Sequence, residues 1–418
     1  MHKNSGLIIC TVLLICLVNK LAFAQSSPLN SSLDIGSVQG STVAGNVVSL
    51  PKLVSDVPSP RKKLNFLSVT KVRKAMNARF FAKGRSGTSL QPSRAHGSNL
   101  NMVPYAYGTY LTPYTTARVA TGTDAASTNA ADVPVSSYPY RAVGKLYFNI
   151  GTSLYTCSAT LVKKGVILTA AHCVFDFGMN SKSGYFSNFV FCPAHNSATS
   201  PYGPYGCYPA GSPRVLSPYY KGTDSCYQSG VICNNDIATL LAPKITTGAN
   251  KGKYLGTVYG TIAYSYNAYS FVENYLFNDG FSAQITQLGY PGAFDSGVQM
   301  QRTDSLSRAV TFVDDEGLET DNIIMGTAQT GGSSGGPWIV NFGTRPKVSS
   351  GSASLGSQSI AAIAGVSSWG YVDVGVNLQG ASYFGQNSEF PNADYGTYGS
   401  GNIGKLMYDT CTVNSAYC

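Results

Sequence analysis

The chain has 418 residues, room for two or three domain-sized units, and its 43% hydrophobic content is that of a globular protein. Only 12% of residues are charged, and Gly, Ser, Thr and Tyr stand in their place, which favours strands and turns over salt-bridged helices. The net charge of +9 belongs to one segment: residues 61–94 hold ten Lys/Arg and no acid, and the remainder balances at 19 basic against 20 acidic residues, leaving no general excess for a nucleic-acid partner.

The first predicted element is an export signal. Lys3 opens it, residues 6–19 form its apolar core, and Ala22 and Ala24 supply the small residues before a cut after Ala24. The core is short for a membrane span, so residues 1–24 are expected to be removed, leaving a secreted chain without stable membrane insertion. Residues 25–60 are rich in Ser, Gly and Pro and read as a linker. Val69, Val72, Met76 and Phe80 then fall at helical spacing between basic residues, the pattern of a basic amphipathic helix or of part of a removable pro-segment. Residues 25–137 together are taken as the pro-segment.

The texture changes at Tyr138. Short apolar runs bounded by Gly, Pro, Ser or Asn recur, among them "AVGKLYFNI", "DIATLLA", "PWIVNF" and "IAAIAGVSSW". Without a long helical period they predict an all-β barrel or sandwich. Residues 178–232, rich in Tyr, Gly, Ser and Pro, interrupt the pattern and read as a cysteine-stapled surface insertion. Eight cysteines remain after the signal: Cys157, Cys173, Cys192, Cys207, Cys226, Cys233, Cys411 and Cys418. An even number in an exported chain predicts disulfides, and the absence of CxxC spacing argues against zinc.

Nucleophilic hydrolysis by a serine needs a base for its proton, an acid to orient that base and donors for the oxyanion. Histidine is the natural base near neutral pH, and the chain has only His2, His96, His172 and His195. The first two lie in the leader. His172 follows an apolar run in "GVILTAAHCV", whereas His195, in "CPAHNS", reads as an exposed bystander.

Four ordered motifs resemble the trypsin/chymotrypsin-like serine proteases: "CSATLVKKGVILTAAHC", "NNDIATLLAP", "GGSSGGP" and "GVSSWG". "QLGYPG" adds a resemblance to the bacterial glutamyl-endopeptidase-like branch. The resemblance covers about residues 138–405. It implies two six-stranded antiparallel β-barrels (chymotrypsin-like), the first over 138–255 and the second, with a C-terminal tail, over 256–418. It implies a Cys157–Cys173 disulfide and a triad of His172, Asp236 and Ser334, with the Gly332 and Ser334 amides as oxyanion hole. Asp176 and Asp224 fit the acid's place less well. Ala328, Gln329 and Thr330 would border the specificity pocket, with Gly380 beside them, and Ser368, Trp369 and Gly370 would meet the substrate backbone. The implied activity is a secreted serine endopeptidase acting on proteins or peptides with no cofactor and no metal; a catalytically silent, protease-like binding protein is the alternative.

Three departures stand out. Ser333 replaces the aspartate that in digestive members pairs with a new N-terminus. Ala328 replaces the acid that selects Lys or Arg, and Ser367 stands where glutamate-selective members place a histidine. A neutral or apolar side chain before the cut is therefore expected.

Overall fold

The computed structural model describes residues 112–119, 134–196, 203–227, 230–267, 271, 281–313, 317–343, 361–371, 376–392 and 394–418, and the backbone of 37–39, 66–67 and 272–273. The expected signal, linker and basic segment, with His2 and His96, otherwise lie outside these residues.

Alternating apolar residues build two antiparallel sheets. The first holds β1 (Val143–Ile150), β2 (Ser153–Lys163), β3 (Val166–Thr169), β4 (Ser187–Pro193), β5 (Gly211–Leu216) and β6 (Ala238–Leu241). Their spatial order is β5–β6–β3–β2–β1–β4. Tyr208–Pro209 pairs with β4, and only Ala210, whose N–H donates to the Phe189 carbonyl at 2.9 Å, separates it from β5. One stretch of chain thus joins β4 to β5, whose other side pairs antiparallel with Ser37–Gln39, and the sheet curls around Leu146, Phe148, Leu161, Ile167, Phe191 and Leu240.

The second sheet holds β7 (Phe281–Gly289), β8 (Gln301–Val313), β9 (Glu319–Gly326), β10 (Pro337–Val340), β11 (Ala362–Tyr371) and β12 (Leu378–Tyr383). Its ladders run β7–β10–β11–β12–β9–β8 and back to β7, a closed six-stranded barrel filled by Ile285, Ile323, Met325, Trp338 and Ala381. The chain is therefore all-β with the two-barrel architecture the sequence implied, although only the second barrel closes by strand pairing.

Three boundaries move. Residues 178–232 are no surface insertion: they supply β4 and β5, with Phe189, Phe191, Val215 and Leu216 in the core. Part of the expected pro-segment, Tyr114–Arg118, pairs antiparallel with Gln301–Ser305 of β8. The expected C-terminal tail is a helix, Gly401–Val413, that returns to the first barrel. Its Ile403, Leu406, Met407, Thr410 and Cys411 are buried at helical spacing, and Thr410 Oγ1 meets Thr239 Oγ1 of β6 at 2.8 Å.

The disulfides are Cys157–Cys173, Cys192–Cys207, Cys226–Cys233 and Cys411–Cys418. Among the described residues, no helix is long and apolar enough to cross a membrane.

Candidate active site

The ladder between β3 and β6 brings the first two site residues together. Ala238 pairs with Thr169, so the chain just before β6 runs beside the chain just after β3. Asp236 consequently faces His172, which sits in a single 3-10 turn, Ala171–Cys173. One carboxylate oxygen accepts the His172 backbone N–H at 2.8 Å, and the other accepts Nδ1–H at 2.7 Å. Ser368 Oγ donates to that second oxygen at 2.6 Å. A carboxylate only accepts, so Nδ1 carries the proton of this contact and Nε2 is the ring nitrogen left for another partner. Among the described residues, the buried Nε2 has no hydrogen-bond partner, the Ser334 hydroxyl included.

Ser334 arrives from the second barrel. Its carbonyl accepts the Ser158 N–H at 2.7 Å, and Ser158 follows Cys157, which is bonded to Cys173 beside His172. Gly335, at φ +76°, packs against Ala170: a side-chain carbon there would collide with Thr169 Oγ1 and Ala170 N. Serine and histidine are thereby brought to facing turns of the two barrels. Gly332 has φ +98°, and a Cβ on it would strike the Tyr290 carbonyl, so only glycine fits. Among the described residues, neither the Gly332 N–H nor the Ser334 N–H has an acceptor.

Beside this turn lies a cleft of about 210 Å³, lined by Ala328, Gln329, Thr330, Gly370, Tyr371 and Gln379, with Ala293 and Phe294 opposite. No Lys, Arg, His, Asp or Glu lines it among the described residues. An amide network lies beneath it. Gln379 Nε2 donates to the Gln329 carbonyl, and Gln287 Nε2 donates to Gln379 Oε1 at 2.7 Å and to Ser367 Oγ at 2.9 Å. Of the residues expected to meet the substrate backbone, Ser368 gives its hydroxyl to Asp236. Trp369 turns its indole away, donating to Asn322 Oδ1 at 2.8 Å. Gly380 does not border the cleft; it lies under the Trp369 ring, where any Cβ would clash.

His195 is not an exposed bystander. It is 1% exposed, with Nε2 2.9 Å from Tyr147 Oη and Nδ1 3.1 Å from the Val298 carbonyl. Burial, with nearby Lys145, pushes its pKa down to about 4, so it is neutral near pH 7. Lys145, itself buried, donates to the Gly297 carbonyl at 2.7 Å. Two groups of potential metal ligands, Cys157–His172–Cys173 and Asp224–Cys226–Cys233, each contain two sulfurs already joined as cystine.

Two contributors escape a reading of the sequence. Ser158 ties the barrels together at the site. Asn235 is gripped by buried Asp224 through its N–H at 3.0 Å and its Nδ2 at 2.6 Å, which fixes the turn before Asp236. The pair "NN" before "DI" is the available signal for the second; nothing in "CSAT" marks the first.

No family profile matches the chain. A curated relative, the glutamyl endopeptidase of Bacillus licheniformis, is 24% identical over 215 residues, 51% of this chain and 53% of that protein. The chain is thus similar in sequence to a bacterial protease of the trypsin/chymotrypsin-like kind. It spans about half the length of that curated relative. Among solved structures, the chain resembles the protease Anisep of Arthrobacter nicotinovorans, at 24% identity and TM-score 0.40, covering 59% of this chain and 91% of that one. It also resembles the thermostable serine protease AL20 of an extremophilic microorganism, at 22% identity, TM-score 0.40 and coverage of 59% and 92%. A Glu endopeptidase structure aligns at 19% identity and TM-score 0.37, covering 62% and 90%.

Proposed function

We propose that this protein is an exported serine endopeptidase. The observation that carries the reading is the His172–Asp236 pair, with Nε2 unpartnered, facing a turn whose Gly332 and Ser334 amides are also unpartnered. Ser334 Oγ attacks the scissile carbonyl while His172 Nε2 takes its proton. Asp236, held by Ser368, fixes the tautomer and stabilises the imidazolium. The negative charge on the carbonyl oxygen is met by the two amides. On collapse, the C–N bond breaks, the proton passes from Nε2 to the leaving amine, and an acyl-Ser334 ester remains. Water, deprotonated by the same nitrogen, releases the acid and restores the hydroxyl. The open serine–histidine contact fits this sequence, because catalytic hydrogen bonds often tighten only around substrate.

The uncharged cleft receives the side chain before the cut. Burying a Lys, Arg, Asp or Glu there without a counter-charge is costly, so neutral side chains are preferred. Export is supported by the leader's pattern and by the four disulfides. The test is hydrolysis of an unfolded protein substrate by purified wild type and Ser334→Ala. Cleavage by the first and not the second is expected; folded wild type that cleaves nothing supports the silent binding protein instead.

A further inference from the structure

Ser333 stands where an aspartate would hold the oxyanion turn by an ion pair, so something else must hold it. The hydrogen bonds show what does. In a trans peptide the C=O and the next N–H point to opposite sides. The Gly331 carbonyl accepts the Gly292 N–H at 2.8 Å, so the Gly332 N–H is turned the other way. The Ser333 carbonyl accepts the Gly336 N–H at 2.9 Å, which turns the Ser334 N–H outward in the same manner. Ser333 Oγ donates to the Thr330 carbonyl at 2.7 Å and accepts from Gln379 Nε2 at 3.4 Å, both neutral ties within the second barrel.

The two remaining carbonyls of the turn both converge on Ser158 of β2. Its Oγ donates to the Gly332 carbonyl at 2.9 Å, and its backbone N–H donates to the Ser334 carbonyl at 2.7 Å. The same Oγ accepts the Tyr290 N–H at 2.9 Å, tying in the segment that carries Gly292. Ser158 is fully buried, and its own carbonyl is held by Thr169 Oγ1 at 2.9 Å, one residue from Ala170. One hydroxyl therefore joins the base-bearing barrel, the oxyanion turn and the strand end behind it, using neutral groups throughout.

We infer that Ser158 is a positioning residue that holds the Gly332–Ser334 amides in oxyanion-binding geometry, in place of a charged clamp. This rests on the serine-protease reading. Its effect belongs to the transition state, because the ground-state carbonyl needs these amides less. Ser158→Ala is expected to lower kcat about 10- to 100-fold, less than or equal to the loss of a direct oxyanion donor, with KM within about twofold. The affinity of a peptide boronic acid, whose tetrahedral adduct places an oxygen at the amides, falls in parallel. Ser158→Thr, which keeps the hydroxyl, regains kcat to within about threefold of wild type. Rates are taken per active site by fluorophosphonate burst titration, so loss of folded protein does not mimic the effect. If Ser158→Ala yields no folded protein, Ser158→Cys, a far weaker donor, is read the same way. An unchanged kcat per site, or a loss confined to KM, overturns the inference. A wild type with neither burst nor turnover overturns the proposed function itself.

Discussion

The two histidines among the described residues, His172 and His195, sit in different settings. His172 touches one carboxylate and presents a bare nitrogen, so His172→Ala should lower turnover by roughly 10⁴-fold or more with little change in stability. His195 is packed between Tyr147 and the Val298 carbonyl, so His195→Ala should instead cost about 2 kcal/mol or more of stability, leaving the rate per folded molecule nearly intact. Its charge state adds a pH dependence. The unfolded imidazole protonates near its ordinary 6.5 and the folded one near 4. Between those values the unfolded state binds more protons, so stability falls as pH drops from about 6.5 to about 4 and the loss levels off below. The contribution is on the order of 3 kcal/mol, and His195→Gln should flatten that limb of the acid-denaturation curve. The cleft offers a second test at this scale. Ala328→Asp places a counter-charge among neutral walls, and cleavage after Lys or Arg should rise at least about tenfold relative to wild type in a peptide library.

At the scale of elements, the site depends on turns held from more than one side. The Cys157–Cys173 bond closes a loop with a sequence separation of 16 and fixes the histidine turn to the strand that carries Ser158. Replacing both cysteines by serine should cost about 3 kcal/mol, read by denaturant unfolding, and should lower kcat more than it raises KM. The 290–300 segment, which lines the cleft through Ala293 and Phe294, is held in turn by Lys145 at Gly297, His195 at Val298 and an Arg118–Asp295 ion pair at 2.5 Å. Asp295, Ser296 and Gly297 there all have positive φ, a winding that such anchors sustain. Arg118 belongs to a strand inside the expected pro-segment. Residues 112–119 are thus part of the second sheet's framework and support one wall of the cleft.

For the whole molecule, what is legible in the sequence is what chemistry restricts to a few residue types. His172, Asp236 and Ser334 stand out through motifs that resemble the serine proteases; the order of residues alone leaves Ser333 and Ser334 as alternatives and misreads His195 as exposed. The strands around them alternate strongly enough to read. What is illegible depends on pairing at a distance. "SNFVFCP" and "GSPRVL" are short, broken by Pro and Ser, and read as loop, yet the curled sheet needs both edges there. "TTAR" carries no apolar period because it is an added strand on β8, most of it exposed. Burial of Lys145 and His195 follows from where loops from both barrels meet, and composition reports nothing of that.

The central claim is that Ser334 becomes the covalent nucleophile, and its most direct test is the site of attachment of a small fluorophosphonate. Peptide mass mapping of the labelled wild type should find one phosphonylated residue, Ser334, with labelling lost in His172→Ala. A folded wild type that stays unlabelled, or an adduct on Ser333 or any other residue, would contradict the account.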